Sequence, residues 1–123
     1  MNIQSKGSME SRISNTLTQF EKEHLGRGPK EARAYIIQDM VLIRLKGVLT
    51  PAEENLVTQE GGAHLIKDIR TRLIESSRPL LEKILKEITG CKIISMHTDI
   101  SSRTGERIFV FILDKNFEKN LTS

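Results

Sequence analysis

His97 and Asp99 stand two residues apart in the stretch His97-Thr98-Asp99-Ile100-Ser101. On an extended strand that spacing puts both side chains on one face. If Ser101 to Gly105 form a five-residue loop, Ile100 faces Glu106, and Arg107 joins His97 and Asp99 from the neighbouring strand. An imidazole oriented by a carboxylate beside a guanidinium makes a small polar pocket suited to an anion, with His97 as a proton-sensitive donor. The same three residues also fit a cross-strand charge cluster that only decorates a sheet. Arg33, Arg44 and Arg78 are further guanidiniums able to converge on a carboxylate or bicarbonate-like anion, and the alternative pairs them with Asp39, Glu75 or Glu82. The candidate anion site is therefore Arg33, Arg44, His97, Asp99 and Arg107.

Other chemistries find less support. A zinc centre needs three or four ligands at recognisable spacing, and this stretch offers two. Cys91 precedes His97 by about 20 Å of strand, while His24 and His64 belong to other segments. Cys91 has no histidine near it in sequence and reads as a small buried filler. The chain has no G-x-S-x-G, P-loop or G-x-G-x-x-G pattern, and Gly26-Arg27-Gly28-Pro29 lacks the strand-before, helix-after setting of a phosphate cradle. The expectation is a protein without enzymatic activity, metal or cofactor.

The elements that position these residues follow from periodicity. Ile13, Leu17, Phe20 and His24 form one narrow stripe over residues 10–25, so an amphipathic helix is expected there, closed by Gly26. Ala32–Ile37 and Met40–Leu45 are apolar and β-branched runs that meet at Gln38-Asp39, a hairpin pattern. Thr50-Pro51-Ala52-Glu53 combines a capping box with Pro at the first helical position, so a helix starts here and Gly61-Gly62 breaks it. A longer helical segment follows to Thr89. Its expected stripe is Ile66, Ile69, Leu73, Ser77, Leu80, Ile84 and Ile88, widened by Leu65, Leu81 and Leu85 and interrupted near Ser76–Arg78 by Pro79. Cys91–Ile100 and Glu106–Asp114 make a second hairpin.

With the five-residue loop, one face of that hairpin holds Ile94, Met96, Ile100, Ile108, Val110 and Ile112, and the other holds Ser95, His97, Asp99, Arg107, Phe109 and Phe111. The predicted fold is α+β: two β-hairpins in a four-stranded, mostly antiparallel sheet, with an N-terminal helix and a long, Pro-interrupted helical segment packed on it. Phe109, Phe111 and Tyr35 are too apolar for free exposure, so either the N-terminal helix or a second subunit covers them. Of these the second subunit is favoured, which makes the three residues candidate interface positions of a homodimer.

A chain of 123 residues supports a single domain. The expected limits are a disordered leader or cloning scar over residues 1–8, the domain over 9–115 and a C-terminal tail over 116–123. One cysteine excludes an internal disulfide, and neither a secretory signal nor a membrane-length apolar run is visible, so a cytoplasmic protein without a membrane span is expected. The net charge of +3 arises from 19 basic and 16 acidic residues that are well mixed, which argues against nucleic acid as a partner.

Four phrases, Gly26–Pro29, Ala32–Leu56, Arg78–Ile93 and His97–Asp114, together resemble a small bacterial family, the MpsC-like proteins of the Na+-translocating membrane-potential-generating system. The resemblance spans residues 10–115 and carries no catalytic signature. It draws attention to the Gly26–Pro29 turn, Arg44, the Leu49–Glu53 helix start and the His97–Ser101 strand. It implies association with a membrane-potential-generating or inorganic-carbon (bicarbonate) uptake system, in which integral membrane partners move the ions. The expected role is then a non-enzymatic accessory or regulatory component that senses a small anion. The alternatives are an interaction module docking on a membrane transport protein and a nucleic-acid-binding regulator.

Overall fold

In the computed structural model, which describes residues 4–123, Ser5 opens the first helix. Its hydroxyl accepts a hydrogen bond from the Ser8 N–H at 3.1 Å, satisfying one of the donors that every helix start leaves unpaired. Helix α1 (Lys6–Leu25) ends at Gly26, whose φ of 91° is left-handed and costs glycine nothing. The expected leader therefore contributes the cap and first turn of α1 from Ser5 onward, and its residues 1–3 lie outside the described residues. The inner stripe is Met9, Ile13, Leu17, Phe20 and Glu21. His24, expected in that stripe, is exposed and stacks on the Phe20 ring with centroids 4.8 Å apart.

Strands β1 (Glu31–Ile37) and β2 (Met40–Lys46) form the first hairpin around Gln38 and Asp39. Gln38 adopts a φ of 57°, the left-handed region a two-residue turn demands. The chain's end holds this turn in place. Glu118 accepts from the Gln38 N–H at 2.8 Å and pairs with Lys6 at 2.7 Å. Phe117, in a short 3-10 turn (Phe117–Asn120), is buried. The expected tail is thus packed against both the hairpin and α1.

Helix α2 (Pro51–Val57) begins with the complete capping box read from the sequence. Helix α3 (Gly62–Thr89) follows across a tight corner, where a Cβ on Gly62 would stand 1.8 Å from the Leu56 carbonyl oxygen. Only glycine fits there. The helix continues through Pro79 instead of breaking. Its buried positions include Ile66, Leu81 and Leu85, as expected, together with Arg70 and Ile74, which were not; Ile69, Leu73 and Leu80, expected inside, are exposed. Strands β3 (Ile93–Ser101) and β4 (Glu106–Leu113) complete a sheet of order β1-β2-β4-β3 with every neighbour antiparallel. The fold is the expected α+β arrangement, with α1 and α3 on one face of the sheet.

The second hairpin departs from its expected register by one residue. Ile100 pairs with Arg107 and Ser101 with Glu106, leaving a four-residue loop that ends at Gly105, φ 73°. Because side chains alternate, a one-residue slip exchanges the faces of one strand relative to the other. Arg107, Phe109 and Phe111 therefore lie with Met96 and Ile100 against the helices, while Ile108, Val110 and Ile112 share the outer face with His97 and Asp99. Both faces of β4 are apolar, so alternation alone does not choose between them. The aromatic pair goes inside because it buries more apolar area. Phe109 and Phe111 are fully buried beneath the helices and are not subunit-interface positions, whereas Tyr35 is on the opposite, outer face and 42% exposed.

Candidate functional site

Three charged side chains buried in this core, Glu21, Arg70 and Arg107, and a fourth at its edge, Glu53, come from four elements and act on one another's charge. On α3, one turn from each of Ile66 and Ile74, Arg70 is 2% exposed. Its Nε and Nη2 donate to the two oxygens of Glu53 on α2 at 2.9 and 2.6 Å, and Nη2 also reaches the Val48 carbonyl at 3.0 Å. Glu53 is the capping-box residue as well, accepting from the Thr50 N–H at 2.9 Å. One carboxylate thereby ties the start of α2 to α3. Burial works against its charge, but the bonds from Arg70 and Thr50 outweigh it and hold the carboxyl below its ordinary value.

Arg107 on β4 and Glu21 on α1 complete the cluster. Arg107 is 1% exposed; its Nη1 donates to the Thr98 hydroxyl at 2.9 Å, and its guanidinium carbon stands 5.6 Å from the centre of the Phe109 ring. Glu21 is completely buried. Among the described residues, both Glu21 carboxylate oxygens, Arg107 Nε and Nη2, and Arg70 Nη1 have no hydrogen-bond partner. Desolvation pushes the Glu21 carboxyl up to about 7, against the opposing pull of Arg107 and then Arg70. Desolvation also lowers Arg107 to about 10, so it stays charged at neutral pH. Glu21 can gain or lose its proton near neutrality beside two fixed positive charges.

The sequence-derived anion site is divided by the sheet. Arg33, Arg44, His97 and Asp99 stand on the outer face, and Arg107 alone enters the core. The outer four occupy two adjacent rows across the strands, Tyr35–Leu42–Val110–His97 and Arg33–Arg44–Ile108–Asp99. Two strand spacings, about 10 Å, separate Arg44 from Asp99. Their charges are also engaged: Arg44 pairs with Glu106 at 2.6 Å, Arg33 approaches Glu31 at 3.6 Å, and Asp99 pairs with Lys67 at 3.3 Å. His97 bonds the Ser95 hydroxyl at 3.0 Å. Arg78 is held by Glu75 and by the Met96 carbonyl of the edge strand, as one of its sequence alternatives expected. These five residues do not form a single pocket.

Sequence reasoning passed over Glu21 and Arg70. A signal existed: Arg70 falls at the four-residue interval between Ile66 and Ile74, and Glu21 adjoins Phe20 on the face of Leu17. A charge inside an apolar stripe is the mark of a buried ion, but the expected α3 stripe runs through Ile69 and Leu73 instead of Arg70 and Ile74, and the expected α1 stripe closes on His24 instead of Glu21. The phrases behind the family resemblance come together nearby. Arg27, in the Gly26–Pro29 turn, donates to the Leu49 carbonyl at 3.2 Å, and Glu53 closes the Leu49–Glu53 helix start on Arg70.

The family described as Na+-translocating membrane potential-generating system (MpsC) matches residues 5–115, the span that builds both hairpins and the cluster. This chain belongs to that family. Among its relatives in Bacillus subtilis (strain 168) is the uncharacterized protein YbcI, 50% identical over 117 residues that cover 95% of this chain and 94% of YbcI. The uncharacterized protein YrhF of the same organism is 23% identical over 109 residues, covering 87% of this chain and 88% of YrhF. No solved structure matches the chain. The family description ties its members to a Na+-translocating system, and among the described residues no helix is long and apolar enough to cross a membrane.

Proposed function

We propose that this protein is a non-catalytic accessory component of a Na+-translocating, membrane-potential-generating system, and that it acts by docking its outer sheet face on a membrane transport partner. The observation that carries this reading is the composition of that face. Tyr35 and Ile37 are exposed, and Met40, Leu42, Ile108, Val110 and Ile112 are half-buried beside them, with no helix of the described residues laid over them. A continuous apolar surface rimmed by Arg33, Arg44, Glu106 and Asp99 has the anatomy of a protein interface, apolar at the centre and charged at the edge. Ion movement needs a path through the bilayer, which in this reading the partner supplies.

The test is the Na+-dependent membrane potential of cells lacking the chain, complemented with wild type or with Val110→Asp. Wild type restores the potential. Val110→Asp, chosen because its side chain lies on the outer face away from the core, does not restore it, although it still folds cooperatively with a modestly lowered melting temperature. A potential unaffected by loss of the chain overturns the proposal. Sedimentation of wild type as a dimer and of Val110→Asp as a monomer would assign the face to a second copy in place of a membrane protein.

A further inference from the structure

The cluster beneath α1 contains the same guanidinium edge in two different situations. On Arg70 the Nε–Nη2 edge is filled by the two oxygens of Glu53. On Arg107 that edge is equally buried, and neither nitrogen has a partner among the described residues. The Nε–Nη2 edge presents two parallel N–H groups matched to two oxygens of a planar anion. A third donor, Arg70 Nη1, is also buried and unpartnered. Glu21, whose carboxylate would be the natural internal occupant, has both its oxygens without a partner.

We infer that Arg107 and Arg70, with Glu21 beside them, form an internal binding site for a small planar oxoanion of the carboxylate, bicarbonate or nitrate class. Arg107 grips two oxygens through Nε and Nη2 while its Nη1 stays anchored on Thr98, which fixes the plane of the guanidinium. Arg70 Nη1 reaches the anion from α3, its own edge staying on Glu53. Protonated Glu21 donates to a bound oxygen; ionised Glu21 repels the anion, so binding takes up a proton. The charged groups that set this balance are Arg107 from β4, Arg70 from α3, Glu53 from α2 and, acting on Arg107 from β3, Asp99. This site is independent of the outer sheet face, and either proposal can fail without the other.

Thermal unfolding of the full chain in sodium formate, acetate or nitrate, against sodium chloride at matched ionic strength, tests the site. A melting temperature raised by the planar oxoanions over chloride is expected on the acid side of neutrality. Affinity should fall about tenfold per pH unit once Glu21 ionises, as loss of one linked proton requires. Glu21→Gln keeps the selective shift and loses its pH dependence. Arg107→Lys, which keeps the charge but not the fork, loses the selectivity; an undiminished shift in that variant overturns the assignment. If Arg107→Lys does not fold, the pH dependence in wild type against Glu21→Gln decides. No oxoanion-selective shift in wild type or Glu21→Gln overturns the proposal and leaves Glu21 and Arg107 as a purely internal pair.

Discussion

The two hairpins of this sheet are built from similar residues, but only the first declares its register. In β2, Val41, Ile43 and Leu45 go inward, while Arg44 and Lys46 mark the outer face. Two charges on one side of an alternating strand leave a single acceptable pairing. In β4 the run Ile108-Phe109-Val110-Phe111-Ile112-Leu113 has apolar residues on both faces, and the two charges that precede it split, Glu106 outward and Arg107 inward. Loop length and polarity alternation are the local cues to register, and here the loop is open to more than one length and the alternation is absent or inverted. A strand apolar on both sides is also what a sheet needs if its second face is to be covered by a partner, so the ambiguity in β4 and the proposed docking surface share one cause.

The sharpest way to break this comparison is to truncate neighbouring residues of β4. Phe109→Ala should cost about 3–5 kcal/mol in a urea titration, as an aromatic removed from a closed core does. Val110→Ala, on the half-buried outer face, should cost about 1 kcal/mol. Similar costs at the two positions would contradict the one-residue register difference.

The second effect concerns the inward charges. Glu21 titrates near 7 in the native state, above its ordinary value of 4.5, because burial disfavours its charge. The native state therefore holds this proton more tightly than the unfolded chain. The associated stability is full below the unfolded value and is lost as pH rises through about 7, by roughly 3 kcal/mol in total. Denaturant midpoints measured across that range in chloride buffer should fall for wild type and stay nearly level for Glu21→Gln. An equally steep fall in the variant would place the titrating group elsewhere.

The smallest effect sharpens the first hairpin. Gln38 holds a left-handed backbone that costs a side-chain-bearing residue about 1–2 kcal/mol, while glycine gives back part of this as chain entropy. Gln38→Gly should therefore raise stability by about 0.5 kcal/mol. A loss on substitution would mean that the Gln38 side chain supports the turn, beyond its backbone bond to Glu118.

Much of the architecture was already written locally. The Thr50–Glu53 capping box, the Gln38-Asp39 turn, the glycine ends of α1 and α3, and the alternation in β2 each rest on contacts within a few residues, and such contacts can be read along a chain. The interior cluster could not be read this way. Glu21, Glu53, Arg70 and Arg107 come from four elements, and nothing within any one segment says that they meet. The proline rule predicted an interruption at Pro79, yet α3 remains continuous, with Ile74, Leu81 and Leu85 buried on either side of it. By itself the sequence determined the element order, the α+β class and the family. Only tertiary packing decided which face of β4 turns inward, and with it whether Arg107 decorates a surface or faces a buried carboxyl. The physical reason is that burial is a property of layers: a side chain's environment depends on the face left over after the helices have covered the larger apolar area.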